Sequence, residues 1–335
     1  MKKKRILCSV MIMNFRTDLA LEVCEDSPDE FSGVEISTEE DDELGVRVTW
    51  VEIQNEDGAA RMGKPVGNYV TLESGAMKDG DPDTHDEIAK ILARKLARLH
   101  DLPKDASVLV VGLGNRFVTP DALGPKVCEK LLVTRHLGDD VPEDLRGKLR
   151  GVSALSPGVM GITGIETAEI IKGVAEKTAP DLIIAIDALA ARKTSRINAT
   201  IQMSDAGVNP GAGLGNRRMP INRETMGVPV IAIGVPTVVD AATLANDALD
   251  KMIAAILEAA ESDDTGGGSN FYEVLHSLGD EERYSLITQI LTDENMFVTP
   301  KDVDAVISRL ANILANTLNI SLHPGITAED VGRYI

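Results

Sequence analysis

Asp121 and Asp187 are the two residues of this chain whose type and setting most invite chemistry. A short apolar run, Val108 to Val111, leaves through Gly112-Leu113-Gly114-Asn115 and reaches Asp121 within Thr119-Pro120-Asp121-Ala122-Leu123-Gly124-Pro125. A second run, Leu182 to Ile186, ends directly on Asp187. In open α/β sheets, ligands and reactive groups collect at the carboxyl ends of parallel strands. Taken alone, Asp121 reads as ordinary helix-start chemistry, with Thr119 as N-cap, Pro120 at N1 and an acid that complements the dipole. Asp187 is harder to explain structurally, because a carboxylate at the end of an apolar strand is expensive to bury unless it is paired or used. Two such acids at neighbouring strand ends favour function, and paired carboxylates can act as acid and base on either side of a water molecule.

The other reactive residue types offer less. None of His85, His100, His136, His276 and His323 closely follows an expected core strand, and no G-x-S-x-G elbow is present, so a Ser–His–Asp arrangement cannot be drawn. Each histidine reads as a surface or satisfied core residue. Cys8, Cys24 and Cys128 are odd in number and widely spaced, which supports neither a disulfide framework nor a CxxC site and points to a reducing cytoplasm. Cys128 itself reads as a small buried hydrophobe. The Gly112-x-Gly114 turn lacks the third glycine of a dinucleotide fingerprint, since Phe117 stands there, and no Gly-Lys-Ser/Thr follows to make a P-loop. Met203 to Arg218, rich in Gly and Asn, reads as a long irregular loop, either a flap over the site or a subunit contact.

Elements must hold these acids in place. Val108–Val111, Val152–Leu155, Leu182–Ile186 and Pro229–Ile233 are too uniformly aliphatic for half-exposed strands, and predict buried parallel strands with crossover helices. One helix is expected to open at Thr119-Pro120 and another at about Thr163, and Thr84–His100 carries Ile88, Ile91, Leu92, Leu96 and Leu99 at helical spacing. Val46–Ile53 and Asn68–Leu72 alternate like strands and read as a small antiparallel element, beyond a polar, acidic stretch from Glu25 to Glu43. The parallel-sheet core is expected over about 105–260, with a long Ala-rich helix over Asp240–Glu261. A flexible linker follows over 262–270 and a helical C-terminal part over 271–335.

Composition removes several classes. With 34 basic against 53 acidic side chains in 335 residues the net charge is −19, which disfavours nucleic acid and anionic membranes as partners. Aromatics make up 3%, leaving few base-stacking platforms. Lys2 to Arg5 and the apolar run Ile6–Met13 imitate a signal peptide, but Asn14-Phe15-Arg16-Thr17 stands where the cleavage site belongs. No stretch approaches the roughly 20 apolar residues of a membrane helix.

Longer motifs now come into view: Val110-Val-Gly-Leu-Gly-Asn115, Val118-Thr-Pro-Asp-Ala-Leu-Gly-Pro125, Pro157-Gly-Val-Met-Gly161, Ile183-Ile-Ala-Ile-Asp-Ala-Leu-Ala-Ala-Arg192 and Pro229-Val-Ile-Ala-Ile-Gly-Val-Pro-Thr-Val-Val-Asp240. With Arg16-Thr-Asp-Leu-Ala20 and Val298-Thr-Pro-Lys301, they make a chain that resembles, over nearly its whole length, the germination proteases of spore-forming bacteria. That resemblance implies an α/β fold, a three-layer α/β/α sandwich like the hydrogenase-maturation endopeptidases, with a small antiparallel β element and C-terminal helices. It further implies an atypical aspartic-type endopeptidase that initiates degradation of small acid-soluble spore proteins in the forespore or spore core, assembled as a homotetramer and working without a cofactor. The family's candidate catalytic acids fall on Asp121 and Asp187. No metal is expected, because the histidine that completes the metal site of the maturation enzymes has no clear counterpart. A water between the two acids would be the nucleophile, with Asp121 as base because a helix N-terminus favours its charge, and the backbone N–H groups of Gly114 and Asn115 as oxyanion candidates.

Thr17-Asp18-Leu19-Ala20-Leu21-Glu22 resembles the acidic-then-apolar sequence at which the family cuts its substrates. Self-cleavage between Asp18 and Leu19 is therefore expected, dividing the chain into a propeptide, 1–18, and a single peptidase domain, 19–335. The plainer alternative is that Phe15 to Leu21 docks as an ordered N-terminal strand. Two other functions stay open at this point: a metal-dependent endopeptidase of the maturation type, and a non-enzymatic protein that binds a small ligand at the Gly-x-Gly-Asn turn.

Overall fold

The computed structural model of the protein describes residues 17–25, 33–141, 143–210, 218–249 and 296–327, with the single positions 252 and 287. Nine strands make one mixed sheet: β1 (Val34–Asp41), β2 (Val46–Ile53), β3 (Gly67–Glu73), β4 (Ser107–Gly112), β5 (Gly151–Leu155), β6 (Leu182–Ala191), β7 (Thr200–Ser204), β8 (Val230–Asp240) and β9 (Phe297–Val298). Their order is β1-β2-β3-β7-β8-β6-β4-β5, with β9 added to the end of β8. The helices are α1 (Ala20–Glu25), α2 (Glu56–Met62), α3 (Pro82–Leu99), α4 (Leu123–Cys128), α5 (Met160–Thr163), α6 (Thr167–Thr178), α7 (Arg223–Met226), α8 (residues 241–249) and α9 (Val303–Leu322).

Strands β5, β4, β6 and β8 run parallel, as their aliphatic runs predict. The chain passes from β4 outward to β5 and then back across to β6, so the strand order reverses between β4 and β6. That is the place in an open α/β sheet where a crevice forms. The Val46–Ile53 and Asn68–Leu72 runs pair antiparallel as expected, but they are not a separate small element: β3 pairs with β7, and β7 with β8, which welds them to the parallel half. Inside the acidic stretch lies β1, almost wholly exposed, an edge strand whose charges discourage further pairing.

Side-chain parity divides the sheet into two faces. One face packs Val108, Val110, Ile184, Ile231, Ile201 and their neighbours against α3, α4 and α9 in the main core. The other face is covered in two separate patches. Leu109, Val111, Ile183 and Ala185 lie under α6 and α7, while Val51, Ile53 and Tyr69 lie under α1 and α2. Helices on both sides make this a three-layer α/β/α sandwich. The gap between the two patches, above the middle of β6, β8 and β7, is the cleft that matters below.

Three expectations change. The helix expected at Thr119-Pro120 is a 3-10 turn, Thr119–Asp121, and α4 begins only at Leu123, because Gly124 must press its backbone against Ile186. The strand expected to stop at Ile186 continues to Ala191, because β8 continues beside it, through a register shift at Leu189/Ala190. Asp240 closes β8 and the helix after it is described over 241–249, while the linker at 262–270 and most of 271–295 lie outside the described residues.

Candidate active site

The site begins with a step in the sheet. Strand β4 ends at Gly112, opposite Ile186, and Leu113 N–H still donates to the Ile186 carbonyl at 2.8 Å. One residue further along β6 stands Asp187, past the end of β4 and only 8% exposed. The chain leaving β4 folds back on itself through Gly114, whose φ of +107° is open to glycine, and a Cβ there would lie 2.0 Å from the Asp121 carbonyl oxygen. The glycines of the Gly112-x-Gly114 turn thus let the Thr119–Asp121 turn approach β4 and β6, a role unconnected with phosphate binding. Asp121, half-buried, precedes α4 rather than lying within it, and its carboxylate accepts from the Asn115 N–H at 2.7 Å. The Asn115 amide, expected as an oxyanion donor, is directed at Asp121.

Both acids are raised by burial. Burial pushes Asp187 up to about 7, and the charges of Asp121 and then Asp18 add to the rise, against the Ala188 N–H and Arg218, which favour the ionised form. Asp121 is also raised by burial, but its bond from Asn115 and the nearby Arg218 hold it back. A proton therefore persists on Asp187 well above the ordinary carboxylate range. A water between the two acids would meet a base on one side and an acid on the other.

Asp18 is the third acid of the cleft, and it arrives from the N-terminal segment. Its N–H donates to the Ala190 carbonyl at 3.3 Å, and its carboxylate accepts from Ala190 N–H at 3.0 Å, so this stretch lies along the protruding end of β6. The Asp18 carbonyl oxygen accepts from Lys64 Nζ at 3.0 Å and from Gln202 Nε2 at 3.1 Å. Gln202 Oε1 accepts in turn from the Ala20 N–H at 2.7 Å. Gly234 of β8 is register partner to both Asp187 on β6 and Gln202 on β7, so acid and amide face the same cleft two strands apart. The Asp18–Leu19 peptide bond runs over this row. Asp18, Lys64, Asp121, Asp187 and Gln202 all line one cavity of about 710 Å3.

Beyond the bond the chain is gripped still harder. Leu19 and Ala20 are wholly buried, and the Glu22 carboxylate accepts from the backbone N–H groups of Arg192 at 2.9 Å and Lys193 at 3.0 Å and from Thr17 Oγ1. The Arg196 guanidinium lies 3.4 Å from Glu22 and is itself held by Glu73 at 2.8 Å. Sequence reasoning singled out Asp18 and Leu19 but neither Lys64, Gln202, Glu22 nor Arg196. Lys64 directly follows Gly63, whose left-handed backbone caps α2, and no local pattern marks Gln202.

Among the described residues no three His, Cys, Asp or Glu side chains gather as metal ligands, so this donor set does not fit a metal centre. His323 is buried, with Nε2 against the Leu132 carbonyl, and His85 contacts the Ala76 carbonyl, in keeping with their reading as structural histidines. No described helix is long and apolar enough to cross a membrane. The loop expected over Met203–Arg218 begins inside β7, pairs Val208 with Ile221, and is described as far as 210 and again from Arg218.

The sequence profile of germination proteases matches residues 13–267 and 257–335, which is nearly the whole chain. The chain belongs to the germination protease family. A germination protease of Caldanaerobacter subterraneus subsp. tengcongensis is 46% identical over 329 residues, covering 97% of this chain and 99% of the relative. The Clostridium tetani protein of that name is also 46% identical, over 96% of this chain and all of its own, and that of Bacillus cereus is 43% identical over 95% and 96%. The protein is a peptidase, and the peptide bond lying across its acidic cleft is to be read in that light.

Proposed function

We propose that this germination protease is a two-aspartate endopeptidase whose first substrate is its own Asp18–Leu19 bond, and which then initiates degradation of small acid-soluble spore proteins in the spore interior. The observation that carries the reading is that the charges of Asp121 and Asp18 both act on Asp187, and that all three acids line one cavity. Asp121, ionised, takes a proton from a water molecule, whose oxygen adds to the Asp18 carbonyl carbon. The tetrahedral intermediate then collapses as Asp187 gives its proton to the Leu19 nitrogen, leaving a carboxyl on Asp18 and an amine on Leu19. In this reading residues 1–18 are the propeptide and 19–335 the peptidase domain.

The pH dependence follows from the proton on Asp187. Asp187 must be protonated, so processing declines as the pH rises above about 7, and it declines again in acid once Asp121 protonates. N-terminal sequencing of the purified chain before and after mild acidification tests the reading. A new terminus at Leu19, absent from Asp187→Asn protein, is expected; a different terminus, or undiminished processing in that variant, refutes it. Proteolysis that stops on chelation and returns with added metal would favour the maturation-type mechanism instead. The homotetramer that the family resemblance implies is tested by light scattering.

A further inference from the structure

We propose that Lys64 and Gln202 are the oxyanion-stabilising pair of this peptidase, and that Gln202 also acts as a sequence-independent backbone clamp across the scissile bond. The inference rests on the two-aspartate reading and adds the groups that carry the charge developing on the carbonyl. Hydrolysis by a charged base and a single protonated acid leaves a tetrahedral oxyanion that neither aspartate can hold, since one has just accepted a proton and the other must keep its own for the leaving nitrogen. Something else must face that oxygen, and its donors belong where the carbonyl already points.

The Asp18 carbonyl accepts from two donors carried by different elements on the cleft face of the sheet. Lys64 Nζ reaches it at 3.0 Å from the end of α2, and Gln202 Nε2 at 3.1 Å from β7. As the oxygen changes from a carbonyl to an alkoxide, the lysine contact becomes a charge-assisted hydrogen bond, which is the differential gain that accelerates a reaction. Burial lowers the pKa of Lys64, while Asp18 and Glu22 favour its charged form. The amide of Gln202 adds a second function. It donates to the carbonyl of Asp18 and accepts from the N–H of Ala20 at 2.7 Å, so one planar group fixes the backbone on both sides of the bond without consulting any side chain. Gln202 is itself only 8% exposed and sits in register with Gly234 and Thr71, so its position is set by the sheet. The Asn115 N–H is directed at Asp121.

A purely tethering role for Lys64, holding the N-terminal segment down, predicts a different outcome, and analogue binding separates the two. Three ligands are built on the sequence of residues 13–24: the peptide itself, a phosphinic analogue carrying a tetrahedral oxyanion in place of the Asp18–Leu19 amide, and a reduced-amide analogue that lacks the carbonyl oxygen. In processed enzyme, Lys64→Met should lower kcat about 100-fold with KM changed less than threefold, and weaken the phosphinic analogue by a similar factor. It should leave the reduced-amide analogue within threefold. Lys64→Arg should restore part of kcat, and Gln202→Glu, which keeps the acceptor for Ala20 but turns an oxygen toward the carbonyl, should lose kcat without loss of fold by circular dichroism. Equal weakening of both analogues, or a kcat within threefold of the parent in folded Lys64→Met protein, overturns the proposal. Asp187→Asn is the reference arm: if it is inactive while Lys64→Met is not, only the oxyanion pair fails; if it retains full activity, the two-aspartate reading itself fails.

Discussion

The two halves of the sheet contribute unlike things to one cleft. The parallel half, β4 and β6, brings Asp121 and Asp187, two acids raised above their ordinary range by burial, Asp187 also by the charge of Asp121. The antiparallel half, β3 and β7 with α2, brings Gln202 and Lys64, which make ordinary hydrogen bonds to a segment of main chain. The reactive acids come from the parallel half alone, while the peptide is held by Gln202 and Lys64 together with the backbone at the far end of β6. Separating reactive groups from gripping groups in this way lets each be altered without the other, and the comparison can be broken experimentally.

The largest effect should come from the reactive half. Asp121→Asn or Asp187→Asn should reduce self-processing by about 10³- to 10⁴-fold, read by following the full-length band over time. The same half should gain stability from the same change. Because Asp187 titrates higher in the folded chain than the ordinary carboxylate value of 3.8, its stabilising proton is present at low pH and lost as the pH rises through about 7. Asp187→Asn should therefore gain stability over the parent from about pH 4 upward, and its advantage should be larger at pH 8 than at pH 5 by on the order of 2–3 kcal/mol, in denaturant titrations at both values. A stability gain that is the same at both would contradict the raised pKa.

The gripping contacts, some of which come from the chain just beyond β6, should show the reverse pattern. Glu22→Gln weakens the charge-assisted bonds from Arg192 and Lys193 without emptying the space, and should slow processing about 10- to 100-fold at unchanged pH dependence. A shifted pH profile in that variant would mean that the two halves are not separable. The smallest effect belongs outside both. Arg47 and Glu40 form a bridge at 2.7 Å on the exposed β1–β2 edge, and Arg47→Ala should change stability by less than about 0.5 kcal/mol and processing not at all.

The same division governs what could be read in the sequence. Strands β4, β6 and β8 were legible because both their faces are buried and aliphatic runs advertise them, and the half-buried edge strand β5 by its short apolar run. Strand β7, Thr-Ile-Gln-Met-Ser, was not assigned, because Thr200, Gln202 and Ser204 break the apolar pattern and the last two line the cleft where the strand is used. Strand β1 was hidden by the acids of an exposed edge. Asp187 stood out because burying it is costly. Lys64 did not, since a lysine beside a turn is common and its meaning depends on Asp18, 46 positions away in the chain. The approach of the N-terminal segment to β6 and β7 is likewise a long-range contact that no local pattern encodes.

The seating of Leu19 and Ala20 has a kinetic consequence. A segment tethered to its own cleft competes at the effective concentration set by its tether, roughly millimolar for short links, and any protein substrate must outcompete it. Cutting after Asp18 severs only the upstream tether. The stretch from Leu19 to Glu25 remains covalently attached downstream, with its apolar side chains sequestered and Glu22 still bonded at 2.9 and 3.0 Å. Hydrolysis and vacancy are then separate events, the first chemical and the second a dissociation. Enzyme freshly cut at this bond would show a lag before its turnover of added substrate reached full rate, its length set by how fast that short helix lets go.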